Sequence, residues 1–480
     1  MKLKAQSLAC GAALLLIFLP GCKHSVAVTP RLTHSQTRGL RVGAAAVDIT
    51  PGLGMPLAGY YNTRLAAATN DPIYCKAIVI DDGRSRIALV GLDLISTTRP
   101  MVEEARRLIA AQTGISRDHV MISATHCHTA PILSGSSVRV DTQGGALPIA
   151  EAFSVQLPKR IAQAVQIAAG QLDAASVRLG VGSDPGISFN RRFIMKDGSV
   201  GWNPGKLNSN IVCAAGPIDP QVPVVSFESS RGQPIATYVN FAMHPDTVGG
   251  MNFSSDYPGA LARFLSDAKG PKLVTLFTIG TAGDLNHVDV TTKAAQKGMP
   301  EATRLGAALG NSVLGKWSAL KRINPGALVA RSEMVKLRLP EITEDQVAKA
   351  RSVALRAAST NAPPFLEQVQ AFKVLDVYGR QGRPQEVEVQ VIALGDDVAW
   401  VSLPGEIFVE LGLEIKRRSP FPVTIIAELA NGAIGYIPTR RAYEQGNYEP
   451  VSARCAPGSG ERLVEVSVRL LQEVHSGAAR

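Results

Sequence analysis

Val120-Met121-Ile122-Ser123-Ala124-Thr125-His126-Cys127-His128-Thr129-Ala130-Pro131 is an apolar run of strand character that stops abruptly on two histidines one residue apart. In extended backbone, residues i and i+2 project to the same side, so His126 and His128 can aim at one point. Such a pair is either two hydrogen-bonded histidines at a strand end or part of a metal site. The chain has only eight histidines, and His244 likewise follows directly on an apolar, strand-like segment. Cys127, lying between the pair, faces away from them on a strand and is read as packing.

Working outward, one construction recurs three times: a strand, a tight polar turn, and an apolar strand ending in polar residues. The first joins residues 77–80 to 87–95, which carry Asp93, through Asp81-Asp82-Gly83-Arg84. The second joins 222–227 to 235–243 through Ser229-Ser230-Arg231-Gly232 and runs into His244. The third joins 387–394 to 398–403 through Gly395-Asp396-Asp397 and runs into Pro404-Gly405-Glu406. Gly and Asp supply the turns and β-branched residues the strands, so these are hairpins. Helical periodicity falls between them, at 101–112, 150–169, 258–268, 302–320, 344–358, 407–417 and 461–474. The alternation predicts an α/β fold over residues 41–478, a layered, mixed β-sheet domain with helices packed on the sheets and the active site at strand ends. Pro-containing stretches at 200–223 and 360–386 read as long surface loops, and 343–386 as a small insertion.

Ahead of this domain, Met1-Lys2-Leu3-Lys4, an apolar run and Leu19-Pro20-Gly21-Cys22 describe a bacterial secretory signal of the lipoprotein type over residues 1–22, with Cys22 as the lipidation site. Residues 23–40 read as a polar tether. The expectation is an exported protein, tethered to a membrane surface through a lipid anchor or released to the periplasm or medium. The net charge is +10 but dispersed, and aromatics are 5% of the chain. That excludes nucleic-acid binding and leaves a mild attraction to anionic membrane surfaces. Cys213 and Cys455, both in Gly/Pro-rich sequence, could pair in an oxidising compartment.

Other polar residues also collect where apolar runs end: Asp284 after 273–279, Glu406 after 398–403, and Tyr436 after 423–429. Ligands in layered α/β folds sit beyond strand ends, and histidines, a carboxylate and a tyrosine oxygen form a donor set that suits Zn²⁺. Each residue has a structural alternative. His244 could be a loop histidine held by Asp246, Glu406 a first-turn acid at a helix dipole, Tyr436 core, and Gly283-Asp284 a turn. Asp93, inside an apolar strand, must find a buried partner in any case.

Asp48-Ile49-Thr50, Gly91-Leu92-Asp93-Leu94, Ser123-Ala124-Thr125-His126-Cys127-His128, Asn190-Arg191, Ala242-Met243-His244, Ser255-Asp256, Gly283-Asp284, Pro404-Gly405-Glu406 and Gly435-Tyr436-Ile437-Pro438-Thr439 stand in an order that resembles the neutral/alkaline, non-lysosomal ceramidases. The resemblance implies a zinc-dependent amidase acting on an N-acyl sphingoid base. Metal ligands would be His126, His244, Glu406 and Tyr436, and His128 and Arg191 would lie by the scissile amide. Zinc would acidify its water and polarise the amide carbonyl, Tyr436 or Arg191 would stabilise the oxyanion, and His128 would pass a proton to the leaving amine. Asp93, Asn190, Asp256 and Asp284 follow as supporting or substrate residues, Asp284 also as a candidate for a second metal. The double glycine that follows the family's histidines is replaced by Ile132-Leu133, and the chain ends soon after 461–474, where the family continues into an immunoglobulin-like domain. Two alternatives accompany this reading: a zinc amidase or esterase with a non-ceramide small-molecule or cell-wall substrate, and a non-catalytic binding lipoprotein.

Overall fold

A computed structural model describes residues 39–477, residues 358 and 360 excepted. The signal at 1–22 with its Cys22, the tether up to residue 38, and the last domain residue, 478, lie outside the described residues. None of the described helices is long and apolar enough to cross a membrane.

The large sheet contains β1 (Arg41–Asp48), β2 (Tyr74–Asp81), β3 (Arg86–Leu92), β4 (Val120–Ala124), β5 (Asp173–Ser183), β6 (Gln221–Ser229), β7 (Pro234–Phe241), β8 (Val274–Ile279) and β9 (Lys321–Ile323). Its order is β8-β7-β6-β5-β1-β2-β3-β4, with β9 also paired to β5. A smaller sheet runs β10 (Leu328–Leu337), β11 (Gln385–Leu394), β12 (Val398–Ser402), β13 (Val423–Ala427). The main helices are α1 (Arg99–Thr113), α2 (Pro148–Gly170), α3 (Asp256–Lys269), α4 (Gly298–Trp317), α5 (Glu344–Arg356), α6 (Phe365–Tyr378), α7 (Val409–Arg418) and α8 (Ser459–His475).

All three hairpins form: β2 with β3, β6 with β7 and β11 with β12. Each then repeats one manoeuvre. A crossover through α1, α3 or α7 returns the chain parallel to the hairpin's second strand, as β4, β8 or β13. Parallel pairing requires such a crossover, and it brings the C-terminal ends of both strands to the same edge.

Strand alternation sets the layers. In β2, Cys75, Ala77 and Val79 join a core built against α1–α4, while Ile78 and Ile80 face the other sheet. In β12, Ala399 and Val401 pack toward α7 and α8, while Val398 and Trp400 enter the space between the sheets. Helices thus cover the outer face of each sheet, and the two inner faces pack on each other. Both faces of such strands are apolar, so in the sequence they appear as unbroken apolar runs.

Three expectations change. Residues 360–386 are not a loop, because they contain α6, whose start is set by Pro363-Pro364; prolines that end one segment also begin the next. α6 packs on α5 through Val347, Ala350, Val353, Ala371 and Val374, a core of its own, so the insertion is a helical hairpin. The 200–223 stretch contributes Val200–Trp202 and Ile211–Ala214 to a small sheet with Arg192–Met195. Cys213 is exposed on that sheet and Cys455 is buried under Tyr443, and both are free thiols, as are Cys75 and Cys127.

Trp400 is fully buried between the sheets with its ring edge against Tyr238. Trp400→Ala is expected to cost about 3–5 kcal/mol, read as a lowered midpoint in urea unfolding with far-UV signal retained at low urea.

Candidate metal centre

The histidine pair converges by a route other than the pleat. β4 ends at Ala124, and His126 lies beyond it with a left-handed φ of 75°. The loop is pinned to the neighbouring strand end, Thr125 and His126 amides donating to the Leu92 and Leu94 carbonyls, both at 2.8 Å. This turn, not alternation, brings the two rings to one side with centroids 4.8 Å apart. Cys127 does point away, its thiol donating to the Ser255 carbonyl at 3.3 Å. His128 is packed against Gly59, whose φ is +103° and where a Cβ would stand 2.8 Å from the imidazole.

His244 follows β7, and its ring lies 4.6 Å from that of His126. Glu406 and Tyr436 are neighbours because Glu406–Ile407 pairs in parallel with Tyr436–Ile437. Gly283 lets the chain after β8 close on this ribbon, since a Cβ there would lie 2.6 Å from the Glu406 carbonyl oxygen.

Two backbone carbonyls decide the histidine tautomers. A carbonyl oxygen only accepts, so Nδ1 of His126, 2.7 Å from the Ile95 oxygen, and Nδ1 of His244, 2.8 Å from that of Ala282, carry the protons. The Nε2 lone pairs are left facing Oε2 of Glu406, at 3.4 Å and 3.2 Å. His126 Nε2 and both ring nitrogens of His128 are buried with no hydrogen-bond partner. One nitrogen from each of His126, His128 and His244 lies within 4.8 Å of the others.

The charges raise a contradiction that protons alone do not resolve. Burial lowers the His244 pKa to about 3, with Arg191 adding to the effect, and burial and the other two histidines hold His128 well below the usual range. At neutral pH these imidazoles are uncharged. Burial also disfavours the Glu406 carboxylate, while the neighbouring His126 and His244 pull its pKa the other way, well below the usual carboxylate range. A divalent metal ion satisfies the carboxylate and the lone pairs together, so the donor set fits a borderline cation such as Zn²⁺.

Behind this group, Arg191 donates from Nη2 to the Tyr436 hydroxyl oxygen at 3.0 Å and to the Gly283 carbonyl at 2.7 Å, and from Nε to Glu449 at 2.9 Å. Burial raises the Tyr436 pKa well above a normal phenol, opposed by the Arg191 charge. Asp284 accepts from the Val409 amide at the start of α7 and from Asn190, both at 2.8 Å. Burial lifts its pKa to about 6. Asp256 accepts three backbone amides, those of Thr247, Val248 and Tyr257, and so moulds the loop beyond His244. Asp93 accepts the Tyr74 amide and faces Lys76 at 3.8 Å. Asp93, Asn190, Asp256 and Asp284 therefore hold the strand ends that carry the site, and the metal-competent cluster is His126, His128 and His244.

Asp246 does not hold His244. It accepts from the Tyr60 hydroxyl at 2.5 Å and lies 3.3 Å from Nδ1 of His128. Glu449, fully buried and bridging Arg191 to Arg192, had no pattern to announce it. Glu428 had one: it is an acid inside the apolar 423–429 run, and it accepts the Ile407 amide at 2.7 Å directly behind Glu406. A cavity of about 390 Å³ opens beside the centre, with His126 and Glu406 in its wall.

No protein-family model matches the chain, and no curated protein matches it. Among solved structures it is similar to neutral ceramidase from Pseudomonas aeruginosa, with 19% identity, a TM-score of 0.72, and 91% of this chain covering 75% of that one. The chain has the neutral-ceramidase fold. A ceramidase complexed with C2 matches at 18% identity, with the same TM-score and coverage.

The Asp284 carboxyl has a distinct pH signature. With a folded pKa of about 6 against about 3.9 unfolded, it binds more protons when folded, so its contribution to stability falls as pH rises from about 4 to 6. The difference in unfolding free energy between Asp284→Asn and the parent is expected to change in the variant's favour over that interval, measured by urea titration at pH 4.5, 5.5 and 6.5.

Proposed function

We propose that this chain is a zinc-dependent amidohydrolase that cleaves the amide of an N-acyl lipid of the ceramide type, releasing a fatty acid and a sphingoid base. The observation that carries the reading is the convergence of two fixed imidazole lone pairs on the buried Glu406 carboxylate. The fold shared with neutral ceramidase structures supports it.

In this reading His126, His244, Glu406 and Tyr436 hold the metal. A bound Zn²⁺ supplies an acidified water as nucleophile and a Lewis acid for the carbonyl. The chain's own residues supply the rest. Arg191, anchored by Glu449 and Gly283, keeps a positive charge one hydrogen bond behind the Tyr436 oxygen, where negative charge gathers as the carbonyl is attacked. His128 is uncharged at neutral pH, has Nε2 unpartnered, and is steadied by Asp246 and Tyr60. It would take at Nε2 the proton that the attacking water gives up and pass it to the amine nitrogen as the C–N bond breaks.

Purified protein is expected to carry near one zinc per chain and to hydrolyse a fluorescent N-acyl-sphingosine, with both lost in His244→Ala. Tyr436→Phe should keep the fold and lower kcat by about 10²–10³. Zinc with turnover of only a short N-acyl amine would move the function to another amidase, and metal-free wild type would end the zinc reading.

We also propose that the protein is exported and lipid-anchored at Cys22. Cys22→Ser should then move it from the membrane fraction to the soluble exported fraction, detected by immunoblot of fractionated cells.

A further inference from the structure

The cavity beside His126 and Glu406 is lined by both signs of charge, four arginines and the carboxylates of Asp376, Glu386, Glu388 and Glu406. Arg99, Arg139, Arg380 and Arg454 all line it. Arg99 is paired with Glu103 and Glu388, and Arg454 with Asp376 at 2.6 Å. Of the other carboxylates in the lining, Glu386 is paired with Lys336 and Glu406 belongs to the histidine cluster. Among the described residues Arg139 and Arg380 have no ion-pair partner. Arg380 donates only to the carbonyls of Arg383 and Pro384. Arg139 lies over the Tyr61 ring at 4.5 Å, and its Nε is buried without a hydrogen-bond partner.

These residues are brought together by one contact. The Val138 amide donates to Asp376 of α6 at 2.9 Å, so the segment carrying Arg139 is docked on the helix that leads into Arg380. Arg454 grips the same Asp376. Asp376 therefore ties the segment carrying Arg139 and the helix leading into Arg380 to Arg454. A run of aromatic contacts links this end to the centre: Tyr61 on Phe365 at 5.1 Å, Phe365 on Tyr448 at 5.5 Å, and Tyr448 on Tyr436 at 5.3 Å. Ile132, Leu133 and Leu429 make the cavity's apolar side.

Arg139 and Arg380 are half-buried; an N–H buried without an acceptor, as at Nε of Arg139, is costly, and a planar oxyanion matches the guanidinium fork. Ceramide presents hydroxyls and an amide but no charge. We infer that the cavity selects an N-acyl substrate bearing an anionic carboxylate or phosphate, held by Arg139 and Arg380, with its amide at His126 and Glu406. This rests on the amidase reading and names the substrate class that the same site prefers.

The test is calorimetric titration of the zinc-loaded protein with N-hexanoylglycine, its methyl ester and N-hexanoyl-O-phosphoethanolamine, alongside kcat/KM for each. The better of the two anions is expected to bind at least about tenfold tighter than the ester, with affinity falling as salt rises, and the comparison of the two identifies carboxylate or phosphate as the preferred group. Arg139→Ala and Arg380→Ala should each bring the anion-to-ester ratio down toward one. Arg139→Lys, which keeps the charge but not the fork, should recover part of it. Anion-selective binding without turnover would support the pocket and remove the amidase reading. Turnover of ester and anion alike, or a ratio unmoved in both alanine variants at unchanged thermal midpoint, would overturn the anion site while leaving the amidase intact. Absence of binding by every probe would overturn the anion site as well.

Discussion

Two peptide carbonyls, those of Ile95 and Ala282, constrain the chemistry of the whole molecule. By accepting hydrogen bonds from Nδ1–H of His126 and His244 they aim both Nε2 lone pairs at Glu406, an arrangement that repels itself until a cation or a proton enters. Burial makes protonation of His244 unfavourable. The protein thus maintains a locally unfavourable cluster, which the surrounding fold must stabilise. The buried Arg191, pinned by Glu449, and Glu428, pinned by the Ile407 amide, are part of that restraint.

The fold meets the constraint by repetition. Three hairpins, each followed by a helical crossover to a parallel strand, bring six strand ends toward one region, four from the large sheet and two from the small. His126 and His244 come from the large sheet and Glu406 from the small one, so the cluster exists only while the two inner sheet faces stay packed. The apolar contacts around Trp400 and Tyr238 consequently support the geometry of the histidine and Glu406 cluster as well as stability. Asp256 and Asp284 extend the same logic, spending their carboxylates on backbone amides to fix the turns that leave the strands.

What was legible in the sequence follows from the range of the physics involved. Hairpins and crossover helices are local, and their turn residues and periodicity were readable, as was the habit of His244 and Glu406 of standing where apolar runs end. The convergence of His126 and His128 was also anticipated, but for the wrong local reason: a left-handed residue held by the Leu92 and Leu94 carbonyls replaces the pleat. That geometry is imposed by a neighbouring strand and leaves no mark on the loop itself. Glu449, Tyr60 and the role of Asp246 were invisible for a similar reason, since each acts through partners far away in sequence. The α6 helix was missed because Pro363-Pro364 punctuates a boundary in either direction.

The same division separates the residues that form the cluster from the rest of the cavity wall. The cluster-forming residues lie at strand ends locked by ladders and buried carboxylates, where a substitution disturbs two sheets. The cavity wall joins those strand ends, through His126, Pro404 and Glu406, to the segment around Arg139, the α5–α6 insertion with Asp376 and Arg380, and Arg454 beyond it. α6 shares a small core with α5 and meets Tyr61, Trp202 and Tyr448 through Phe365. The cluster is thus held by the strand ends of two sheets, while the arginines of the cavity wall stand on the segments around it.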